Sequence, residues 1–181
     1  MNTLLSRISQ NPNFDKLTSL LANGGQAKVQ LSGLAGSAKS FAVAAAFADT
    51  GTTFCLVLPD KESASYSYDD LVGILGEESV MFYPSAFKRS IEYMKENKSN
   101  IVMQAEVLSR LNATRKGFVI VTYPEAVMEK VIRTRELTRN TFNVAVGDEL
   151  SMEKLIDVLN DWDFSRDDFV FEPGSFAVRG S

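Results

Sequence analysis

The chain has 181 residues, of which 45% are hydrophobic and 23% are charged, a balance typical of one globular unit of ordinary size. It contains no histidine and a single cysteine, which excludes Ser-His and Cys-His catalysis, histidine-based metal sites and a disulfide framework. The net charge of −4 argues against a dominant electrostatic attraction to nucleic acid. No stretch has the apolar length of a membrane span and the N-terminus lacks a signal-peptide pattern, so a cytoplasmic protein is expected.

Two short helices are predicted at the start of the chain. Leucine, isoleucine and phenylalanine recur at helical spacing between Asn2 and Asn23, and Asn11-Pro12 divides this run into two. We expect these helices to pack on the edge of a sheet.

Residues 28–47 predict a phosphate-binding loop of the G-x-x-x-x-G-K-[ST] type. The segment reads as a short strand, a glycine loop, a Lys-Ser pair and an apolar helix. In such loops backbone N–H groups surround the phosphates, the lysine reaches the outer phosphates and the hydroxyl ligates magnesium. The residues expected in these roles are Gly33, Gly36, Lys39 and Ser40, with Val29 and Leu31 in the preceding strand.

One position departs from this motif. Ala38 stands where the motif has glycine, and its Cβ is expected to crowd the approach of the backbone to a nucleotide and to disfavour a positive φ. The prediction is therefore a degenerate P-loop, in which the geometry of the loop survives and tight nucleotide binding is lost.

Beyond this loop, strands alternate with helices. Apolar runs predict strands at residues 53–58, 80–83 and 118–121, and helical spacing predicts helices at 61–76, at 100–112 and after Pro124. Cys55 lies in the first run and is expected to be buried, whereas residues 86–98 read as an exposed connection. Unbroken apolar strands separated by helices indicate an α/β fold, here a P-loop NTPase-like parallel sheet flanked by helices over residues 1–140.

Residues 141–181 predict the start of a second, small α+β domain. Residues 141–146 alternate as a half-exposed strand does, and Ser151 is placed to cap a helix over residues 151–159. Two further strands, 169–171 and 176–178, are expected to be joined through the turn dipeptide Pro173-Gly174. The chain stops at Ser181 before such a domain could be complete, so we expect a piece of a longer protein.

No catalytic residue and no metal site is predicted. Hydrolysis at a P-loop needs an acid at the end of a buried strand to hold magnesium, and residues 118–121 are followed by Thr122-Tyr123-Pro124. Asp148 and Glu149 follow the alternating run, but a solvated turn before a helix accounts better for these two acids.

Arg166 and Arg179 are candidate partner-binding residues that lie around an aromatic run of Phe164, Phe169, Phe171 and Phe176. Exposed arginine beside aromatic surface is a composition typical of protein–protein anchors. The alternative is a pair of surface arginines on a small sheet whose aromatic residues fill its core. A solvated face is the favoured interpretation of the other basic clusters, Lys88 with Arg89 and the run of Arg133, Arg135 and Arg139.

Several motifs resemble a known family. Residues 147–150, 155–159, 164–170 and 172–180 are similar to the N-terminal, UvrB-like module of bacterial transcription-repair coupling factors. The run Arg-x-x-x-Val…Glu-Pro-Gly-x-Phe-x-x-Arg-Gly, which begins at Arg166, is shared with the excision-repair helicase subunit UvrB. The degenerate P-loop and the strand ends Leu58-Pro59-Asp60 and Phe82-Tyr83-Pro84 agree with this resemblance, which therefore covers nearly the whole chain.

This resemblance implies a fold and a role. Coupling factors displace RNA polymerase stalled at DNA lesions and recruit excision repair, and their N-terminal module is similar to the first helicase lobe and UvrA-binding domain of UvrB. Arg166 and Arg179 match the family's arginines on the face that meets UvrA, and UvrA would be bound through residues 141–181 together with a continuation of this domain beyond them. ATP, magnesium and double-stranded DNA would be bound by a separate motor of the parent protein, an ATP-dependent DNA translocase.

We therefore expect a docking and autoregulatory module that has no cofactor of its own and is not a catalyst by itself. The alternative is the first lobe of an active UvrB-type helicase that binds ATP and DNA. Lys39 and Ser40, which many coupling factors have lost, keep weak nucleotide binding open.

Overall fold

A three-stranded parallel sheet forms the centre of the molecule. The computed structural model describes residues 3–22, 26, 28–88, 95–96, 98–131, 136 and 139–179. The sheet has the order β1-β5-β2, with β1 at Phe54–Val57, β2 at Val80–Phe82 and β5 at Val119–Thr122. Ile120 of β5 pairs with Cys55 on one side and with Met81 on the other. The β5 strand is buried along its whole length, as an apolar central strand should be.

Three longer helices surround this sheet: α3 (Ala38–Thr50), α4 (Lys61–Leu75) and α5 (Lys98–Ala113). The α4 helix packs on β2 and β5, α5 packs on β2, and α3 packs on α4. Among the most deeply buried core side chains of these elements are Ala44, Ala45, Ala64, Leu71, Val107, Val119 and Val121. The prediction of an α/β fold with a small parallel sheet flanked by helices is confirmed.

Two short helices precede this core, α1 (Thr3–Ser9) and α2 (Pro12–Ala22). Pro12 occupies the first position of α2, where its missing N–H removes no hydrogen bond. Leu5 and Phe14 bury their side chains against the core. The two predicted helices are confirmed, although they pack mainly on α3 and not on the edge of the sheet.

Glycine is required where the end of α3 meets the start of β5. Gly51 adopts a φ of 63°, and its N–H donates to the carbonyl oxygen of Phe47 at 2.8 Å, which closes α3. A Cβ built on Gly117 would lie 2.1 Å from the carbonyl oxygen of Gly51. The two backbones therefore approach too closely for any side chain at Gly117.

The predicted strand before the glycine loop is wrong. Residues 28–32 form no strand, and the side chains of Val29 and Leu31 are exposed. As a result β1 is an edge strand in which exposed and half-buried side chains alternate. The expectation that Cys55 is buried is also wrong, because this residue lies on the open face of β1. Partial burial of its thiol nevertheless raises the pKa of Cys55.

The predicted connection after β2 contains a short antiparallel pair, β3 (Phe87–Lys88) and β4 (Lys95–Glu96). The helix expected after Pro124 is α6 (Pro124–Val127), only 4 residues long. Three members of the basic clusters, Arg89, Arg133 and Arg135, lie outside the described residues, and Arg139 is exposed.

The C-terminal region consists of α7 (Met152–Asp161) and the parallel pair β6 (Ser165–Arg166) and β7 (Ser175–Phe176). The cap at Ser151 is confirmed, since its hydroxyl accepts the N–H of Lys154. The strands predicted at 141–146 and 169–171 are wrong: both segments are irregular and carry exposed apolar side chains. Among the described helices, none combines the length and apolar character needed to cross a bilayer.

Candidate functional site

The glycine loop leads directly into α3. Gly33 and Gly36 adopt φ values of 79° and 55°, the left-handed region that glycine enters at little cost. Ser37 is the cap residue of α3, and Ala38 is its first helical residue. Ala38 is not among the residues with positive φ, so the loop accommodates its side chain without backbone strain. The effect of this Cβ on nucleotide binding stays a prediction.

The two polar side chains of the motif lie in different environments. Lys39 is exposed, whereas Ser40 is only 2% exposed. The hydroxyl of Ser40 donates to Oδ2 of Asp70 on α4 at 3.1 Å, so it joins two helices. A magnesium-ligating serine would have to give up this contact or share it with the ion.

One side of the loop is largely apolar, whereas the side toward α1 and α2 also carries Arg7, Lys16 and Ser37. A cavity of about 540 Å³ separates the loop from α2 and β1, and its lining includes Leu31, Leu34, Val43 and Leu56 together with Lys39. An apolar wall offers few partners to a triphosphate, whose oxygens need hydrogen-bond donors or cations.

No acid directly follows the buried strand β5, since Thr122 is followed by Tyr123 and Pro124. The β5 strand ends at Thr122, whose hydroxyl donates to the carbonyl oxygen of Tyr83 at 2.8 Å. Asp148 and Glu149 are exposed, and Asp148 accepts the N–H of Ala145 at 2.8 Å within a turn. The interpretation of these two acids as part of a solvated turn is confirmed. The described residues contain no cluster suited to a metal ion.

A polar network occupies the carboxyl ends of β2 and β5, the edge where α/β proteins usually bind ligands. The carboxylate of Glu129 accepts from the Ser85 hydroxyl, from the N–H of Ala86 at 2.9 Å and from the Gln104 side chain at 2.9 Å. The hydroxyl of Tyr123 accepts the N–H of Ser85 at 2.8 Å. Burial raises the pKa of Tyr123, the hydrogen bond from Ser85 opposes this rise, and the charge of Glu129 adds to it. This network was not foreseen, because its members are scattered along the sequence.

A second candidate surface lies in the C-terminal region, on the loop between β6 and β7. The two strands are held in register because Ser165 donates its N–H to Gly174 and Asp167 donates its N–H to Phe176, each at 2.9 Å. Arg166 ends β6 and Arg179 follows β7, and the structure brings both arginines to one hollow.

Arg179 and two phenylalanines form a stack on this surface, which we call the Arg-Phe stack (Phe169, Phe171 and Arg179). The Arg179 guanidinium carbon lies 4.2 Å from the centre of the Phe169 ring, within the range of a cation–π contact. The rings of Phe169 and Phe171 are 6.1 Å apart and inclined by 30°. Arg179 also donates from Nη2 to the carbonyl oxygen of Asp168 at 2.9 Å.

The aromatic run is thus divided between interior and surface. Phe176 is buried, but Phe169 is 60% and Phe171 is 88% exposed. The apolar composition of 169–171 predicts a strand, whereas the flanking acids Asp168 and Glu172 are the one feature of the sequence that fits an exposed segment. The core interpretation therefore fits Phe176, whereas the surface interpretation fits the other two rings.

Known proteins are similar to this chain both in its C-terminal region and over nearly its whole length. Residues 142–181 match the UvrB interaction domain family. Over 99% of its length the chain is 26% identical to the transcription-repair-coupling factor of Bacillus subtilis and 23% identical to that of Staphylococcus aureus (strain USA300). It is 29% identical, over 83% of its length, to the UvrABC system protein B of Dechloromonas aromatica.

The resemblance to transcription-repair coupling factors is confirmed by this similarity over nearly the whole chain, and UvrB is similar as well. The chain spans 15% of the length of the coupling factors that it matches and 23% of the UvrB relative. The matched domain contains both candidate arginines and both exposed phenylalanines.

Proposed function

We propose that this chain is a docking and autoregulatory module of a transcription-repair coupling factor and binds a UvrA-type excision-repair protein through residues 142–181. The match of this segment to the UvrB interaction domain is the observation that carries the proposal. The exposed arginines and aromatic rings in the same segment support it, because they have the composition of an interface anchor. On this proposal, residues 1–140 are the scaffold, an α/β domain derived from a P-loop helicase lobe.

The wider reaction follows from the resemblance. In the complete protein, other domains would bind stalled RNA polymerase and double-stranded DNA, and a separate ATP-dependent motor would drive translocation in the cytoplasm. The present chain would contribute recognition of the repair machinery and control of that motor.

Docking can be tested by measuring the affinity of UvrA for the chain with single arginine substitutions. We expect Arg166→Ala and Arg179→Ala each to weaken binding by about 1–3 kcal/mol, the range of interface anchors. Arg115→Ala is the matched control, because Arg115 is an exposed arginine in the loop before β5. Wild-type affinity for both test variants would contradict the assignment of these arginines.

We also propose that the glycine loop (Gly33, Gly36, Lys39 and Ser40) serves as scaffold and does not support ATP hydrolysis. The contact of Ser40 with Asp70 and the apolar wall beside Lys39 support this proposal. Titration with ATP and magnesium, together with a phosphate-release assay, tests it. We expect no turnover, and a turnover that Lys39→Ala abolishes would refute the proposal.

The second candidate is the first lobe of an active UvrB-type helicase that binds ATP and DNA. The 29% identity to a UvrABC system protein B favours it, as does the retained Lys39-Ser40 pair. The same ATP titration separates the two candidates: saturable, magnesium-dependent binding lost in Lys39→Ala would favour the helicase lobe.

A further inference from the structure

The Arg-Phe stack exposes apolar surface that the described residues leave uncovered. Phe171, at its outer end, has 88% of its surface exposed, although burial of a phenylalanine side chain is worth about 1.5–3 kcal/mol. Large aromatic side chains that stand on a well-ordered loop, with polar groups around them, are typical of interface anchors. The stack therefore has a physical reason to be covered by a partner.

The loop that carries the stack is fixed at several points. Its ends are joined by the pairing of β6 with β7, and the hydroxyl of Ser175 donates to the carbonyl oxygen of Glu172 at 2.9 Å. Arg179 binds the carbonyl oxygen of Asp168 and covers the ring of Phe169. Since these contacts hold the loop and the Phe169 ring in place before binding, little entropy of the loop and of this side chain is lost when a partner covers them.

The charges around the stack define the partner's chemistry. Arg166, Asp167, Asp168 and Arg179 line one hollow together with Phe169, so both signs are present. One N–H of the Arg179 guanidinium already donates to the loop backbone. The side chain of Arg166, in contrast, has no hydrogen-bond or ion-pair partner within the described residues. Arg166 is thus the cation that is free to meet a carboxylate.

We propose that Phe171 and Phe169 are the principal anchors of the docking surface, that Arg179 is a positioning residue that holds Phe169, and that Arg166 makes the direct polar contact. The partner then presents an apolar pocket for one aromatic ring, with a carboxylate at its edge that meets Arg166 and a cation that meets Asp167 or Asp168. This inference rests on the proposed function, because the pocket belongs to the UvrA-type protein.

The first test measures the affinity of purified UvrA from the same bacterium for the full 181-residue chain. Phe171→Ala should raise Kd about 30-fold or more, the loss typical of an interface hot spot. Tyr66→Ala is the matched control, since Tyr66 is 67% exposed on α4, and it should leave Kd unchanged. Unfolding curves of both variants should match the wild type, because neither ring is buried.

The second test separates positioning from direct contact. If Arg179 acts through Phe169, Arg179→Ala combined with Phe169→Ala should weaken binding no more than Phe169→Ala alone. Arg166→Ala should reduce the salt dependence of Kd, whereas Arg179→Ala should weaken binding with little change in that dependence. Additive losses from Arg179→Ala and Phe169→Ala would overturn the positioning role.

The outcomes distinguish this inference from the function on which it rests. Absence of any UvrA binding by the wild-type chain would refute both the proposed function and this inference. Normal binding by Phe171→Ala would overturn the anchor assignment and leave the docking function intact. Self-association of the wild type that Phe171→Ala abolishes, with UvrA affinity unchanged, would assign the stack to a second copy of the chain and overturn the inference.

Discussion

Gly117→Ala should be one of the most destabilising single-methyl changes in the described chain. The added Cβ would lie 2.1 Å from the carbonyl oxygen of Gly51 and 2.6 Å from the carbonyl carbon of Thr52. Both neighbours are backbone atoms, so relief requires the end of α3 to move away from β5. Overpacking of this kind costs about 1–3 kcal/mol, and we expect about 3 kcal/mol because no side chain can yield.

The matched control is Gly73→Ala in α4. A Cβ at Gly73 meets no atom within 4 Å, and the position is exposed, so this change should stabilise the helix by about 0.5–1 kcal/mol. Thermal unfolding followed by circular dichroism measures both, at roughly 2–4 °C per kcal/mol for a chain of this size. Equal melting temperatures for Gly117→Ala and the wild type would refute the close approach of the two backbones.

Three further predictions concern stability. Ser40→Ala should cost about 1 kcal/mol, since it leaves the partly buried Asp70 carboxylate without a donor, and Ser37→Ala, which removes no cap hydrogen bond, should change little in the same urea titration. Glu129→Ala should lower the free energy of unfolding by about 3 kcal/mol, because several partly buried donors lose their acceptor. A decrease smaller than that of Ser37→Ala would contradict these contacts of Glu129. Hydrogen bonds from the N–H and hydroxyl of Ser63 lower the pKa of Asp60, so its stabilising effect is present above the unfolded pKa. The stability difference from Asp60→Asn should therefore shrink as pH falls below about 4, and parallel pH profiles would contradict this.

The sequence was sufficient for the central elements of the fold because their signals are local. Pro59-Asp60 and Gly76 delimit α4, and Asp60 and Gly76 occupy its two caps. The unbroken apolar run before Thr122 predicted the buried strand β5. These elements combine a periodic apolar pattern with a residue that starts or stops the element. Their secondary structure therefore depends little on contacts with distant parts of the chain.

The errors occurred in short apolar segments without a partner strand. Val29 and Leu31 have strand composition, but a strand also requires a neighbour with free backbone groups, and no local pattern specifies that pairing. In the C-terminal region, β6 forms at Ser165–Arg166, so the apolar triplet at 169–171 becomes part of the connecting loop.

The candidate docking surface could be predicted from the sequence only in part. Arg166 and Arg179 were identified from their flanking aromatic run and from the resemblance, and their proximity is a property of the folded loop. The stacking of Arg179 on Phe169 depends on side-chain rotamers of residues that are 10 positions apart, and no spacing rule predicts them. The Ser40–Asp70 contact likewise joins residues that are 30 positions apart.

The contacts of Glu129 bear on how this protein tolerates insertions. Glu129 holds the N–H of Ala86, and Asn100 donates to the carbonyl oxygen of Ser85 at 2.7 Å, so both ends of the excursion that contains β3 and β4 are tied at its base. Doubling the length of a flexible loop with fixed ends costs only about 0.6 kcal/mol. An insertion within the excursion between Ala86 and Asn100 should therefore leave the sheet folded, which makes this excursion a practical attachment point for a reporter tag in experiments on the docking surface.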